Sequence, residues 1–434
     1  MLIAIFHKIF IAIKAFTSMK FSGSSGVRMV WGEELLNLAY QIGMSMGNEY
    51  DDIAIASDFR ATSDPIVSMI AGGIMASGTS VYYGGKVPTP TLAYATKNHD
   101  AGVMVTASHN PPEYNGIKLW NPDGSAFSDE QIEKLQGRNI AKWSKVGRFF
   151  EENMLEEHRK ALLKEFKAID LNVVIDCSNG AGSVLTPFIL RDLGINVTTL
   201  NCHPSGLFSG HSSEPSEENL MDLKNMIMAK KADLGIAHDG DADRFVAITS
   251  SGRYLNGDLI LAIFAKVLGY GRIVAPVDSS RLLENFAEVI RCKVGDANVS
   301  RVMREKGIEF GGENSGTQIF ASWRYTPDAI YAALKFAEIA AREDIDALLQ
   351  DFPVYHTLRK NIYYRNREEM EQKIENFVKD YPVQRVDGYR VDLDDGWFLI
   401  RFSGTEPKVR ITVEFESQEL ASIWMSKIYQ ALSK

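Results

Sequence analysis

The stretch Asp239-Gly240-Asp241-Ala242-Asp243-Arg244 sets three carboxylates at alternate positions, spaced by the two smallest side chains. Acids turned into one loop repel each other unless a cation sits among them. Hard oxygen ligands suit Mg²⁺, which keeps coordination positions for water and phosphate oxygens. Arg244 adds a planar, permanently charged guanidinium suited to a phosphate or carboxylate. The loop therefore points to phosphate chemistry on a metal. Its flanks, Leu234-Gly235-Ile236-Ala237 and Phe245-Val246-Ala247-Ile248, are apolar and read as two buried strands, which weighs against a solvated acidic turn. An EF-hand also opens D-x-D-x-D, but it requires Gly at its sixth position and Glu at its twelfth; Arg244 and Ser250 stand there.

Three further segments carry chemistry-bearing residues. Thr106-Ala107-Ser108-His109-Asn110-Pro111-Pro112 follows the apolar run Gly102–Val105, which puts Ser108 at a strand end and displays it on a loop. Its surroundings do not match the G-x-S-x-G of acyl-transfer serines. Adjacent side chains tend to diverge, so His109 is not expected to serve as the base of a Ser-His pair acting on Ser108. A serine near cations and a metal loop instead suits phosphoryl transfer, with Ser108 carrying the phosphate. Arg401-Phe402-Ser403-Gly404-Thr405-Glu406-Pro407, with Arg410 on the outgoing strand, can aim successive N–H groups and two hydroxyls at one anion. In Gly311-Gly312-Glu313-Asn314-Ser315-Gly316-Thr317, Glu313 and Ser315 alternate and could both face a polyol.

The elements that must hold these loops are legible from pattern. Ile53–Ala56, Val173–Ile175 and Ile273–Val277 are apolar runs, each followed by an Asp/Ser turn and then a helical pattern (65–76, 187–193 and 282–290). This repeat predicts an α/β fold of three similar domains. The C-terminal part differs: Ile411, Val413 and Phe415 alternate with Thr412, Glu414 and Glu416, a period of two that predicts a sheet with one buried face. Helical patterns over 368–378 and 418–432 complete a small α+β domain. The expected boundaries are 19–147, 148–250, 251–353 and 354–434.

Bulk properties narrow the class. A chain of 434 residues exceeds one ordinary domain, and 45% hydrophobic with 24% charged residues is ordinary for a globular protein. A net charge of −9 argues against nucleic acid as a partner. Cys177, Cys202 and Cys292 lie far apart in sequence with no CxxC pairing, which indicates neither a disulfide framework nor a zinc site and fits a cytoplasmic location. Residues 1–18 are apolar but broken by His7-Lys8 and Lys14, too short for a membrane span. The expectation is an over-extended start, with Met19 opening the folded protein; a surface-seeking amphipathic tail is the alternative.

Taken together, these four loops, in this order, resemble the α-D-phosphohexomutase superfamily, the enzymes related to phosphoglucomutase, phosphomannomutase and phosphoglucosamine mutase. The resemblance runs from Phe21 to the C-terminus. It implies a heart-shaped molecule of three α/β domains with mixed sheets plus a C-terminal α+β domain, each lending one loop to a central cleft. By motif, Ser108 would be the phosphoserine, and Asp239, Asp241 and Asp243 would bind Mg²⁺ with a phosphoserine oxygen. Arg244 would contact the reacting phosphate, with His109 and Lys118 placed around it. Glu313 and Ser315 would read sugar hydroxyls; Arg401, Ser403, Gly404, Thr405 and Arg410 would hold the distal phosphate. Arg28, which would contact the substrate, matches the arginine of the N-terminal G-T-S-G-I-R-type motif, here Gly23-Ser24-Ser25-Gly26-Val27-Arg28. The implied reaction moves phosphate between O1 and O6 of a hexose phosphate, with a hexose 1,6-bisphosphate as intermediate and activator. Ala297 stands where a basic residue is usual, which puts sugar specificity in question. The loops at 312–317 and 401–412 look most like archaeal-type phosphoglucosamine mutases. A dual phosphomannomutase/phosphoglucomutase is the alternative, with a silent sugar-phosphate-binding paralogue and a Mg²⁺-dependent phosphatase as rivals from other classes.

Overall fold

The structure, a computed structural model, describes residues 26–404 and 406–433. The N-terminal extension, Gly23-Ser24-Ser25 and Thr405 lie outside the described residues.

Each of the three expected apolar runs becomes the centre of its own mixed sheet. Asp52–Ser57, Asn172–Asp176 and Arg272–Pro276 are nearly wholly buried, so β-branched and small apolar residues occupy both faces. Each central strand has a parallel neighbour on either side. These are Ser80–Lys86 and Ala101–Val105 in the first sheet, Asn196–Leu200 and Leu234–His238 in the second, and Glu288–Cys292 and Phe310–Gly312 in the third. An antiparallel strand follows directly in each: Tyr114–Trp120, Phe245–Thr249 and Gln318–Phe320. The three loops singled out by their chemistry occupy one equivalent position, between the last parallel strand and its antiparallel return. They are 106–113, 239–244 and 313–317. This places Ser108, the aspartates and Glu313 at the same end of three copies of one motif, where α/β sheets present their ligands.

The fourth sheet is antiparallel throughout, in the order His356–Tyr363, Lys408–Phe415, Gly396–Phe402, Tyr389–Leu393, Val383–Gln384. Helices Arg367–Val378 and Gln418–Ser433 cover one face and bury Ile374, Val413 and Ile428 with their neighbours. The second and third sheets share one continuous apolar core, which includes the helices Gly257–Leu268 and Ala329–Ala340. No helix among the described residues is long and apolar enough to cross a membrane.

Two expectations are corrected. The helix predicted over 282–290 is a short 3₁₀ turn, Arg281–Asn285, followed by the strand Glu288–Cys292. Val289 and Ile290 pair in parallel with Ile273 and Val274, and β-branched pairs across a sheet outweigh a short apolar run's helical period. The second is the single buried face of the C-terminal sheet. Thr412 and Glu414 are buried too. The third domain covers that side: Glu414 Oε1 accepts the Arg281 N–H at 2.7 Å and the Trp397 indole N–H at 2.8 Å, and Val277 packs with Trp397 and Leu399.

Candidate active site

Ser108 sits in a left-handed conformation, with φ of 51°, a state that costs a non-glycine residue on the order of 1 kcal/mol or more. The surroundings over-determine it. Arg60, fully buried, donates through Nη2 to the carbonyls of Ser108 (2.7 Å) and Asn110 (2.6 Å). Its Nη1 reaches those of Pro111 (2.7 Å) and Tyr114 (2.9 Å). Asp58 anchors the guanidinium through Nε at 3.2 Å and accepts from Thr106 Oγ1 at 2.7 Å; Thr106 Oγ1 in turn accepts the Ser108 N–H at 2.9 Å. One buried arginine thus fixes the backbone that presents the serine.

The metal loop meets this serine across the domain boundary. Ser108 Oγ donates to Asp239 Oδ2 at 2.7 Å. A Cβ on Gly240 would lie 2.6 Å from the Ser108 carbonyl oxygen, so only glycine lets the two loops come this close. Lys118 Nζ bridges Asp241 (3.0 Å) and Asp243 (2.7 Å), and Thr89 Oγ1 donates to Asp241 at 2.6 Å. Asp239, Asp241 and Asp243 each offer an oxygen within 4.8 Å of the others, all buried. Asp241 Oδ1 and Asp243 Oδ1 are buried with no hydrogen-bond partner among the described residues. Two orphaned carboxylate oxygens beside a third acid fit a hard divalent cation. Electrostatics agree: burial, then Asp243 and Asp241, push the Asp239 carboxyl well above its ordinary range, a penalty that a cation removes. Burial would also raise Asp241, but Lys118 and the Thr89 hydroxyl more than offset it and hold that carboxyl low.

Cations and His109 ring the same point. Burial opposes the charge on Lys118, but Asp241 and Asp243 raise its pKa on balance, so it stays protonated. Arg244 Nη1 donates to both carboxylate oxygens of Glu214, at 2.8 and 2.9 Å, and its pKa is likewise raised despite burial. Arg28 Nη1 donates to Asn110 at 2.9 Å. His109 departs from the expected divergence: Nδ1 lies 3.3 Å from Ser108 Oγ, because the left-handed turn at Ser108 folds the two side chains together. Burial, Arg244 and Arg28 push its pKa down to about 2, so the ring is neutral near pH 7 and a weak base.

Glu313 is buried; Oε1 accepts the Gly295 N–H at 2.7 Å and Oε2 the Thr317 hydroxyl at 3.3 Å. Ser315 Oγ is buried and without a partner among the described residues. Burial, with Asp296 and Asp278, pushes Glu313 up to about 8. A carboxyl raised in the folded state contributes stability that is complete below its unfolded pKa, about 4.3, and is lost as pH rises through about 8. Glu313→Gln removes this titration. Thermal melts from about pH 6 to about pH 9 should therefore show the wild type losing Tm relative to the variant; a constant difference would contradict it.

The fourth loop stands apart. Arg401 and Arg410 are cross-strand partners, Arg401 is held by Asp387 at 3.1 Å, and Ser403 Oγ is buried without a partner among the described residues. Gly404 is exposed. Asp387 also accepts the Val294 N–H at 3.1 Å, tying this loop to the third domain. No hydrogen bond or ion pair among the described residues joins Arg401, Ser403 or Arg410 to the Ser108–Asp243 cluster.

Arg60, Asp58, Thr89 and Glu214 hold the site but do not stand out in the sequence. Only the alternate spacing of Asp58 and Arg60, in a turn at a strand end, could have marked the first two.

Three α/β sheets in series, each lending its hairpin loop, and a fourth antiparallel domain are the architecture of the α-D-phosphohexomutases. Models of phosphoglucomutase/phosphomannomutase α/β/α domains I, II and III match residues 19–144, 152–252 and 256–355, and the model of the C-terminal domain matches 360–431. A probable phosphoglucosamine mutase of Methanosarcina acetivorans is 41% identical over 91% of this chain and 95% of its own length. One of Pyrococcus abyssi is 38% identical over 94% and 96%. A solved phosphoglucomutase/phosphomannomutase family protein of Burkholderia thailandensis superposes with a TM-score of 0.84 at 28% identity, covering 95% of this chain and 97% of that one. The chain belongs to the phosphoglucomutase/phosphomannomutase family and is an isomerase that transfers phosphoryl groups on hexose phosphates. The buried aspartate set fits a hard divalent cation such as Mg²⁺.

Proposed function

We propose that this enzyme is a phosphoglucosamine mutase, interconverting glucosamine 6-phosphate and glucosamine 1-phosphate through a phosphorylated Ser108 and a hexose 1,6-bisphosphate. The observation that carries the mechanism is the 2.7 Å contact between Ser108 Oγ and Asp239 across two domains. Asp239, Asp241 and Asp243, with an oxygen of phosphorylated Ser108, would hold Mg²⁺, which supplies positive charge to the transferring phosphoryl group. Ser108 donates that group to the free hydroxyl of the bound sugar phosphate. The bisphosphate reorients, and its other phosphoryl group returns to Ser108. Such transfers pass through a loose, anionic transition state, so alignment and charge do the catalysis. Lys118 and Arg244 supply the charge. Lys118, held protonated, is a donor and not a base, and His109 is a neutral neighbour of the serine.

Glu313 and Ser315 read the sugar. Arg401, Ser403, Gly404, Thr405 and Arg410 take whichever phosphate is not reacting, and Arg28 supports the serine loop. The amino sugar is favoured by relatives of about 40% identity named probable phosphoglucosamine mutases. Glu313 is the acid that would meet the amine: its ionised carboxylate could accept a charge-assisted hydrogen bond from a protonated 2-amino group, a stronger bond than a neutral hydroxyl makes. The runner-up is a phosphomannomutase/phosphoglucomutase. Comparing kcat/KM for glucosamine 6-phosphate, mannose 1-phosphate and glucose 1-phosphate decides between them; a clear preference for mannose 1-phosphate would sink the amino-sugar reading. We place the enzyme in the cytoplasm, acting on small hexose phosphates, with a hexose 1,6-bisphosphate as activator.

Chelation of divalent cations should abolish turnover, and Mg²⁺ should restore it. Turnover unaffected by a chelator would remove the metal from the scheme.

A further inference from the structure

The three cysteines are not equally isolated in space. Cys177 and Cys202 lie just past the ends of two adjacent parallel strands, and their sulfurs are 3.1 Å apart. Cys177 is buried, whereas Cys202 is partly exposed. We propose that Cys177 and Cys202 form a reversible dithiol–disulfide pair, closed by hydroperoxides, whose closure displaces the Asp239–Asp243 loop and lowers turnover.

The two thiols sit at the root of the loops that support the active site. Cys177 is followed by Ser178 and Asn179, and Cys202 is preceded by Asn201; all three are left-handed, with φ of 50°, 52° and 49°. Backbone held in that region depends on its surroundings. Here those are cross-loop bonds: Asn179 N–H to Asn201 O at 2.7 Å, Ser205 N–H to Asn179 O at 2.7 Å, and Asn179 Nδ2 to His203 O at 3.0 Å. From this mesh the metal loop is directly gripped. Ser178 Oγ donates to His238 O at 2.6 Å and Ala181 N–H to Gly240 O at 2.8 Å. There is no slack, since a Cβ on Gly180 would lie 2.4 Å from Gly240 O. The loop that follows Cys202 carries Phe208, whose ring faces the Arg60 guanidinium at 4.8 Å. A disulfide requires the sulfurs to close to about 2.05 Å. That movement, on the order of 1 Å, falls on both loops that position the reacting groups.

The chemistry balances with a hydroperoxide as two-electron oxidant. The Cys202 thiol gives up its proton and its sulfur attacks a peroxide oxygen; the O–O bond breaks, and the departing hydroxide (or alkoxide) takes up that proton, leaving a sulfenic acid on Cys202 and one water (or alcohol). The Cys177 thiol then displaces hydroxide from that sulfur, forming the S–S bond and releasing a second water. Burial pushes the Cys177 thiol well up, consistent with Cys202 acting first. Cys292, buried and pushed up to about 12, provides an internal reference that should stay reduced.

The test is to expose the full-length, Mg²⁺-loaded enzyme to hydrogen peroxide, alkylate free thiols and map the peptides by mass spectrometry, in parallel with turnover and calorimetric Mg²⁺ affinity. The expected result is a Cys177–Cys202 link, weakened Mg²⁺ binding and turnover lowered about tenfold or more, because misplacing reacting groups by ~1 Å costs on the order of a hundredfold. Dithiothreitol should restore both. Cys202→Ser should match the untreated wild type before and after peroxide. Absence of the link, a link that leaves turnover and Mg²⁺ affinity unchanged, or equal losses in Cys202→Ser would each overturn the proposal. The turnover readout rests on the mutase reading, but the mapped link and the Mg²⁺ affinity do not, so the two can fail separately.

Discussion

Ser108→Ala should lower mutase turnover by about three orders of magnitude or more, the scale seen when a covalent nucleophile is removed, while leaving the fold and ligand affinity nearly intact. The structure explains why the loss should be confined to chemistry. What holds this residue in place is its backbone: its carbonyl accepts from Arg60 and its N–H donates to Thr106. The hydroxyl contributes a hydrogen bond to Asp239 and a longer contact, at 3.3 Å, with His109 Nδ1. Alanine keeps the backbone contacts, and alanine and serine meet a similar steric penalty at a φ of 51°. The variant's melting temperature should stay close to the wild type's, and calorimetry should still register substrate binding. Turnover within tenfold of the wild type would mean that another group carries the phosphate.

The second large effect belongs to Arg60, which touches no substrate in this scheme. Arg60→Met leaves the Asp58 carboxylate buried without its counter-ion and strips donors from the carbonyls of Ser108, Asn110, Pro111 and Tyr114. Removing one partner of a buried ion pair costs about 3–5 kcal/mol, so denaturant unfolding should show a loss of that order. Where the methionine variant fails to fold, Arg60→Lys separates positioning from stability. Lysine keeps the charge, but its three point-like donors cannot span four carbonyls as the guanidinium fork does. A folded Arg60→Lys enzyme should have kcat reduced by about ten- to a hundredfold with KM changed much less, because the serine is presented less rigidly. A kcat at the wild-type level in that variant, or a loss below about 1 kcal/mol in Arg60→Met, would show that the clamp does not matter.

The residues that carry chemistry were legible because their types are costly anywhere else. Alternating aspartates flanked by buried strands, and arginines on both sides of a Ser-Gly-Thr turn, have few structural uses. The three-fold sheet plan was legible from its repeated apolar runs. What escaped was carried by backbone or by a distant partner. Arg60 works through carbonyl oxygens, which leave no signature in a sequence. Glu214 meets Arg244 from thirty positions away, and Cys177 meets Cys202 only because parallel strands bring their ends together. The strand Glu288–Cys292 was hidden because a short apolar run fits either period until its neighbours are known. Glu414 is buried against its strand's alternation because that pattern says nothing about a second domain packing on the outer face.

The phosphoserine itself is open to a single measurement: intact mass and peptide mapping after incubation with glucose 1,6-bisphosphate and Mg²⁺. The enzyme should gain one phosphoryl group, localised to Ser108, absent in Ser108→Ala and lost on addition of the sugar monophosphate. A phosphoryl group on any other residue, or none under turnover conditions, would contradict transfer through Ser108.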